Sequence, residues 1–245
     1  MSDIDTALTI KPRKFVVCLA AIAFFLIFAH IAASVLKYKF DYQDQFDLVR
    51  LFDLGHERNV PTFFSVLILF IAASILAVIA VCKNRVHDRY KTKWAILATG
   101  FLYLSMDEAA SIHESFGDPT RQLVGADIAH VFGYAWVLSG IVISAAVILY
   151  FMNFWWNLPA KSKWLILVAA SIYFAGAIGA EIMGGIHQAN FGNDRWTFML
   201  VTIEETFEMY GVIVFIYAIL RYAESNLPEL RLRIAEAPLR SVDVE

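Results

Sequence analysis

Charge is scarce in this sequence, and what there is lies unevenly along it. Asp, Glu, Lys and Arg make up 18% of 245 residues, against 59% hydrophobic. A soluble domain carries roughly 25% charged residues, so an ordinary soluble globular domain is excluded. Cysteine is almost absent: the two present, Cys18 and Cys82, fall near the same predicted side of the membrane. That placement excludes a disulfide framework in the outer compartment and a thiol redox pair facing it. No lysine lies in the core of any apolar run, which excludes a rhodopsin-type Schiff base. No P-loop, GxSxG or HExxH occurs, which removes the signatures of nucleotide hydrolysis, nucleophile-elbow chemistry and zincin proteolysis. Repeats, low-complexity stretches and a second domain are also missing. The net charge of −3 leaves no basic footprint for nucleic acid.

What is present is apolar runs of about 20 residues, the length that crosses a bilayer core. Mean hydropathy is +0.60. The fold class expected is an all-α integral membrane bundle of about six transmembrane helices, near residues 14–36, 60–83, 93–114, 124–151, 163–186 and 196–221. These form a polytopic domain over residues 1–221, with a short cytoplasmic tail over 222–245. The run after "KPRK" is about 22 residues long, beyond the 7–15 of a signal-peptide core, so it reads as a retained span.

The basic residues orient the bundle. With the N-terminus inside, the inner segments "KPRK", "KNRVHDRYKTK", "PAKSK" and the tail from Arg221 hold 14 of the 20 Lys and Arg. The positive-inside rule therefore predicts N-in, C-in. Acids divide the other way, 15 of 23 lying on the outer side. Trp155, Trp156 and Trp164 flank an inner loop as an aromatic belt does. The expected location is a bacterial cytoplasmic membrane, with membrane lipids as partners; oligomeric state is not legible.

The polar residues then fall at one level. The stretch "SMDEAASIHESFG" ends the third span. Asp107 and Glu108 lie about 9–10 Å below its outer end, with His113 and Glu114 at the end itself. Asp127 and His130 open the fourth span in "GADIAH". Glu181 lies near the outer end of the fifth in "GAEIMGGIHQ", and His187 is at its mouth. Glu204, Glu205 and Glu208 lie roughly 12–18 Å into the sixth. Glu208 shares a helix face with Glu204 (i,i+4) and with Glu205 (i,i+3), and Asp107 shares a stripe with Glu114 (i,i+7) across Ser111.

Several of these residues have plain structural readings. His113, Glu114 and His187 suit helix ends, Asp127 suits an N-cap, His56 and Glu57 suit a loop, and His30 suits helix packing. The deep acids are harder to account for. A charge at a helix centre costs about 2.5–3.5 kcal/mol on insertion scales, carboxylate side chains are too short to snorkel, and no Lys or Arg lies at that depth. Such acids must be protonated, hydrated or neutralised by a bound cation.

Carboxylate and imidazole donors without cysteine suit a divalent transition metal: zinc, iron or manganese. The ligand set expected is Asp107, His113, Glu114, His130, Glu181, Glu204 and Glu208, with Glu108 and Glu205 as catalytic bases. A metal-bound water and a spare carboxylate suit ester or amide hydrolysis, and access from the outer leaflet suits a lipid or lipid-linked substrate. A di-iron oxidase fits less well, because only "DIAH" approaches the Glu-x-x-His pattern. Two further classes stand beside the enzyme. A proton- or ion-coupled carrier uses acids and histidines within spans, but the inner halves "LILVAASIYF" and "VIVFIYAIL" offer no ionisable route. A non-catalytic accessory subunit needs the polar cluster only to hold helices together. The ceramidase and adiponectin-receptor-like hydrolases place His and Asp ligands at one end of seven helices; this chain lacks their HxxxH pair in the last span and has one span fewer.

The 23-residue connection "KFDYQDQFDLVRLFDLGHERNVP" alternates apolar residues with acids. It reads either as an interfacial helix over the site or as a plain surface link. The small residues "GAIGA" and "GG" beside Glu181 predict close helix approach.

Overall fold

A computed structural model describes residues 11–40, 47–125 and 135–227. Among these residues the chain is helical, with no strand. The helices are α1 (Pro12–Phe40), α2 (Leu48–Phe52), α3 (Val60–Arg85), α4 (Lys91–Ala110), α5 (Gly117–Val124), α6 (Ala135–Trp156), α7 (Ala160–Phe174), α8 (Glu181–Phe191) and α9 (Arg195–Asn226). A 3₁₀ turn, His113–Phe116, precedes α5, and a π-helical segment, Ala175–Ala180, joins α7 to α8. Among the described residues four helical stretches are long and apolar enough to cross a membrane: Pro12–Leu36, Val60–Arg85, Ala135–Trp156 and the continuous Ala160–Phe191. The other two long helices, α4 and α9, are less apolar and carry five of the deep acids.

Local chemistry sets the helix ends. Asn59 caps α3 by accepting the Thr62 N–H, and Pro61 sits in the first turn, where no N–H is needed. Asp194 caps α9 by accepting the Trp196 and Thr197 N–H groups, with Thr197 closing the capping box. The Thr197 N–H, against burial and helped by the His187 ring, holds the Asp194 carboxyl below the usual carboxylate range.

α4 stops earlier than the apolar pattern predicts. Ser111 adopts φ 51°, the left-handed region. The chain turns there because the Asp107 carboxylate accepts both the His113 backbone N–H at 2.6 Å and the His113 Nδ1–H at 3.0 Å. The predicted third span, 93–114, therefore ends at Ala110. The start of the predicted fourth span lies partly outside the described residues, and its helix runs on to Trp156.

α3 and α4 pack most extensively, and α9 packs on α7, the π segment, α1 and α3. The core gathers around the second half of α9. Trp94 is 1% exposed and sits between Phe154 (ring centroids 5.0 Å apart) and Tyr222 (4.6 Å). Leu76, Ile79, Ile216 and Ile219 are fully buried beside them. Glycine allows the closest contact: a Cβ on Gly211 would lie 2.8 Å from the Tyr173 backbone, and one on Gly176 would lie 2.7 Å from the Glu204 carbonyl oxygen. The close approach expected around "GAIGA" is thus present between α9 and the α7–π–α8 rod.

Candidate functional site: a chamber of carboxylates

Helix phase brings the acids together. Glu204, Glu205 and Glu208 project from the first half of α9, and Asp107 and Glu108 from the last turn of α4. Glu181 starts α8, immediately after the π segment. Tyr173 and Glu181 are eight residues apart, about 80° around a uniform α-helix. A π turn absorbs about one extra residue, which brings both onto the face toward α9.

The resulting contacts link three helices. The Glu181 and Glu204 carboxyls are near neighbours, an arrangement that a shared proton or a bound cation would relieve. Glu205 lies within electrostatic reach of Glu108 and Glu181. Glu208 lies within reach of Glu205, Glu108, Glu181 and Asp107. All six acids are half-buried. Lys and Arg are absent from α4 after Lys93, from α8, and from α9 between Arg195 and Arg221, so these three helices offer the acids no basic counter-charge. Among the described residues the imidazole at the chamber is His113, committed to Asp107 and lying 4.6 Å from the Trp136 ring by centroid.

One expected member stands apart. Glu114 is exposed in the 3₁₀ turn: the turn at Ser111 ends the helix that would have kept it in the Asp107 stripe. Asp127 and His130 lie outside the described residues. Among the described residues, no group of three His, Cys, Asp or Glu side chains is drawn tightly enough to hold a metal ion as placed.

Two further groups reach the chamber. Glu57, in the turn between α2 and α3, accepts a hydrogen bond from the Ser111 hydroxyl and lies within electrostatic reach of Glu108 and Glu205. Its sequence neighbourhood, "DLGHERN", reads as loop, and nothing local marks it as part of the site. Tyr173 interacts with Glu208, Glu108, Asp107 and Glu205; its only sequence signal is the glycine cluster that follows it. Of the other tyrosines, Tyr103 is exposed and Tyr210 donates to the Ala20 carbonyl at 3.3 Å, a packing role. His187 meets the capping Asp194 at 2.9 Å, as a helix-end residue does.

No curated protein and no solved structure matches the chain. Residues 15–223 match a family described as a domain of unknown function, DUF8692, a stretch that runs from the first turn of α1 to the last turn of α9. The chain belongs to the DUF8692 family.

Proposed function

We propose that this chain is a six-span membrane protein with both termini cytoplasmic, whose acidic chamber faces the outer side and binds a divalent transition metal to hydrolyse a lipid or lipid-linked substrate. The observation that carries the reading is the meeting of six half-buried carboxyls from three helices that bring no Lys or Arg to them. Carboxylates packed in a low-dielectric setting repel, and a divalent ion is the strongest available compensation. Glu181, Glu204, Glu208 and Asp107 are the ligands we assign, with zinc, iron or manganese the ion; as placed they do not converge on one point, so binding would draw them together. Bound metal lowers the pKa of a coordinated water. Glu205, within electrostatic reach of Glu108 and Glu181, would be the base that takes a proton from the attacking water and returns it to the leaving group of the ester or amide.

A second reading draws on the nearness of the Glu181 and Glu204 carboxyls. Neighbouring carboxyls are relieved equally well by a shared proton, which would make the chamber a proton-sharing site of a coupled carrier or accessory subunit. The closed apolar core beneath the chamber weighs against a carrier path.

Titrating Zn²⁺ and Mn²⁺ into full-length protein freed of metal by chelator separates the two. The metal reading expects saturation near one ion per chain and loss of binding in Glu208→Gln, which keeps the shape and removes the charge. A chain that binds neither ion leaves the proton-sharing reading.

A further inference from the structure

We infer that residues 53–59 form a strap that His30 holds in place over the acidic mouth through the Leu54 N–H only while its ring is neutral, so that acidification breaks this bond, re-seats the strap through Asp53 and withdraws Glu57. His30 lies in α1, is 1% exposed, and stacks on Phe198 of α9 at 4.6 Å. Its partners fix its protonation state. The Leu54 N–H donates to His30 Nδ1 at 3.1 Å, so Nδ1 must carry a lone pair. The Thr202 hydroxyl donates to the Phe198 carbonyl at 2.7 Å and therefore offers its oxygen to His30 Nε2, 3.2 Å away. Both ends of the ring thus demand one form, the neutral Nε2–H tautomer.

Protonating Nδ1 places two N–H groups face to face. The Leu54 N–H bond is then lost at a buried position, where an unpaired donor is costly. A second arrangement is close at hand. Asp53 Oδ1 stands 3.6 Å from His30 Nδ1 and would accept the new proton. Among the described residues Asp53 is the charged group that faces His30 from the strap, and α9 presents Thr202 and Phe198, neither of them titratable. The far oxygen of Asp53 already accepts from His56 Nδ1 at 2.9 Å. The strap moves as a unit, because the Asn59 amide donates to the carbonyls of Arg50, Asp53 and His56. Drawing Asp53 toward His30 therefore displaces the residues that hold Glu57 against Ser111. The strap works the same way whatever the chamber binds, so its failure and the failure of the metal reading are separate results.

Hydrogen–deuterium exchange on the full-length protein in detergent tests this without any ligand. The peptide covering residues 50–60 is followed in wild type and in His30→Gln, whose amide can both accept from Leu54 and donate to Thr202 but cannot titrate near neutrality. At pH 7.5 the two should exchange alike. At pH 5 the wild-type peptide should exchange roughly tenfold faster, the effect of losing one hydrogen bond, while comparison at equal pH cancels the intrinsic pH dependence. An unchanged wild-type-to-variant ratio at the two pH values overturns the inference. If His30→Gln fails to fold, the wild-type peptide alone decides: its rate divided by the random-coil rate should rise between pH 7.5 and pH 5, and a constant quotient overturns the inference.

Discussion

The two halves of α9 live in different surroundings. From Met209 to Tyr222 the helix is the centre of the apolar core, with Met209, Ile213, Ile216 and Ile219 each at most 1% exposed. From Val201 to Glu208 no residue is fully buried, and three glutamates face partner acids on α4 and α8. One continuous rod thus serves as core at one end and chamber wall at the other. Packing at the apolar end holds the helices in register, and the acidic end, where like charges repel, depends on that register. Gly176 and Gly211 mark the join, since both let the α7–π–α8 rod touch α9.

Substitutions at the apolar end should cost the most. Trp94→Ala removes a fully buried ring between Phe154 and Tyr222 and should lower stability by about 3–5 kcal/mol, read by thermal unfolding in detergent. A cost no greater than that of a surface substitution would deny the core its role.

At the join the effect should be smaller but should reach both ends. Gly176→Ala places a methyl 2.7 Å from the Glu204 backbone oxygen, where helix backbone has little room to yield. We expect a loss of about 1–3 kcal/mol, accompanied by weaker metal binding because Glu204 is pushed from Glu181. Loss of stability with metal binding intact would uncouple the two halves.

The acidic end should respond with the opposite sign. In chelator, Glu205→Gln removes one member of a repelling set and should raise stability by on the order of 1 kcal/mol. A fall in the unfolding midpoint would mean that Glu205 is already satisfied by a partner.

The smallest effect belongs to the α8–α9 turn. Asp194→Ala removes the cap of α9 and should lower the midpoint slightly at neutral pH. The Asp194 carboxyl is held below its ordinary range by the Thr197 N–H, against burial, and by His187. Its contribution is therefore complete above the unfolded value of about 4 and is lost as pH falls through the lower folded value. The gap between wild type and variant should close below pH 4; a gap that is constant with pH would mean the carboxyl's charge is not what stabilises the cap.

The helical frame was legible because lipid-length apolar runs are long and strongly patterned. Glu108, Glu205 and Glu208 were legible as a group because alternate helices put them at one level. The end of α4 was not: the Asp107–His113 contacts that turn the chain at Ser111 form between side chain and backbone six residues on, and no propensity at Ser111 signals a left-handed turn. The stripe of Asp107 with Glu114 fails for that reason. Glu57 reads as a loop residue and Tyr173 carries no mark, because one arrives through a turn held by the Leu54–His30 bond, and the other through a π turn that re-phases a helix whose hydrophobic pattern looks continuous.

The central claim is that a metal ion neutralises the carboxylate chamber, and the metal content of the protein tests it most directly. Full-length protein purified without chelator should carry about one zinc, iron or manganese per chain, released as its ligands protonate at low pH and missing from Glu208→Gln. Protein that folds and carries no stoichiometric transition metal at any pH would contradict it.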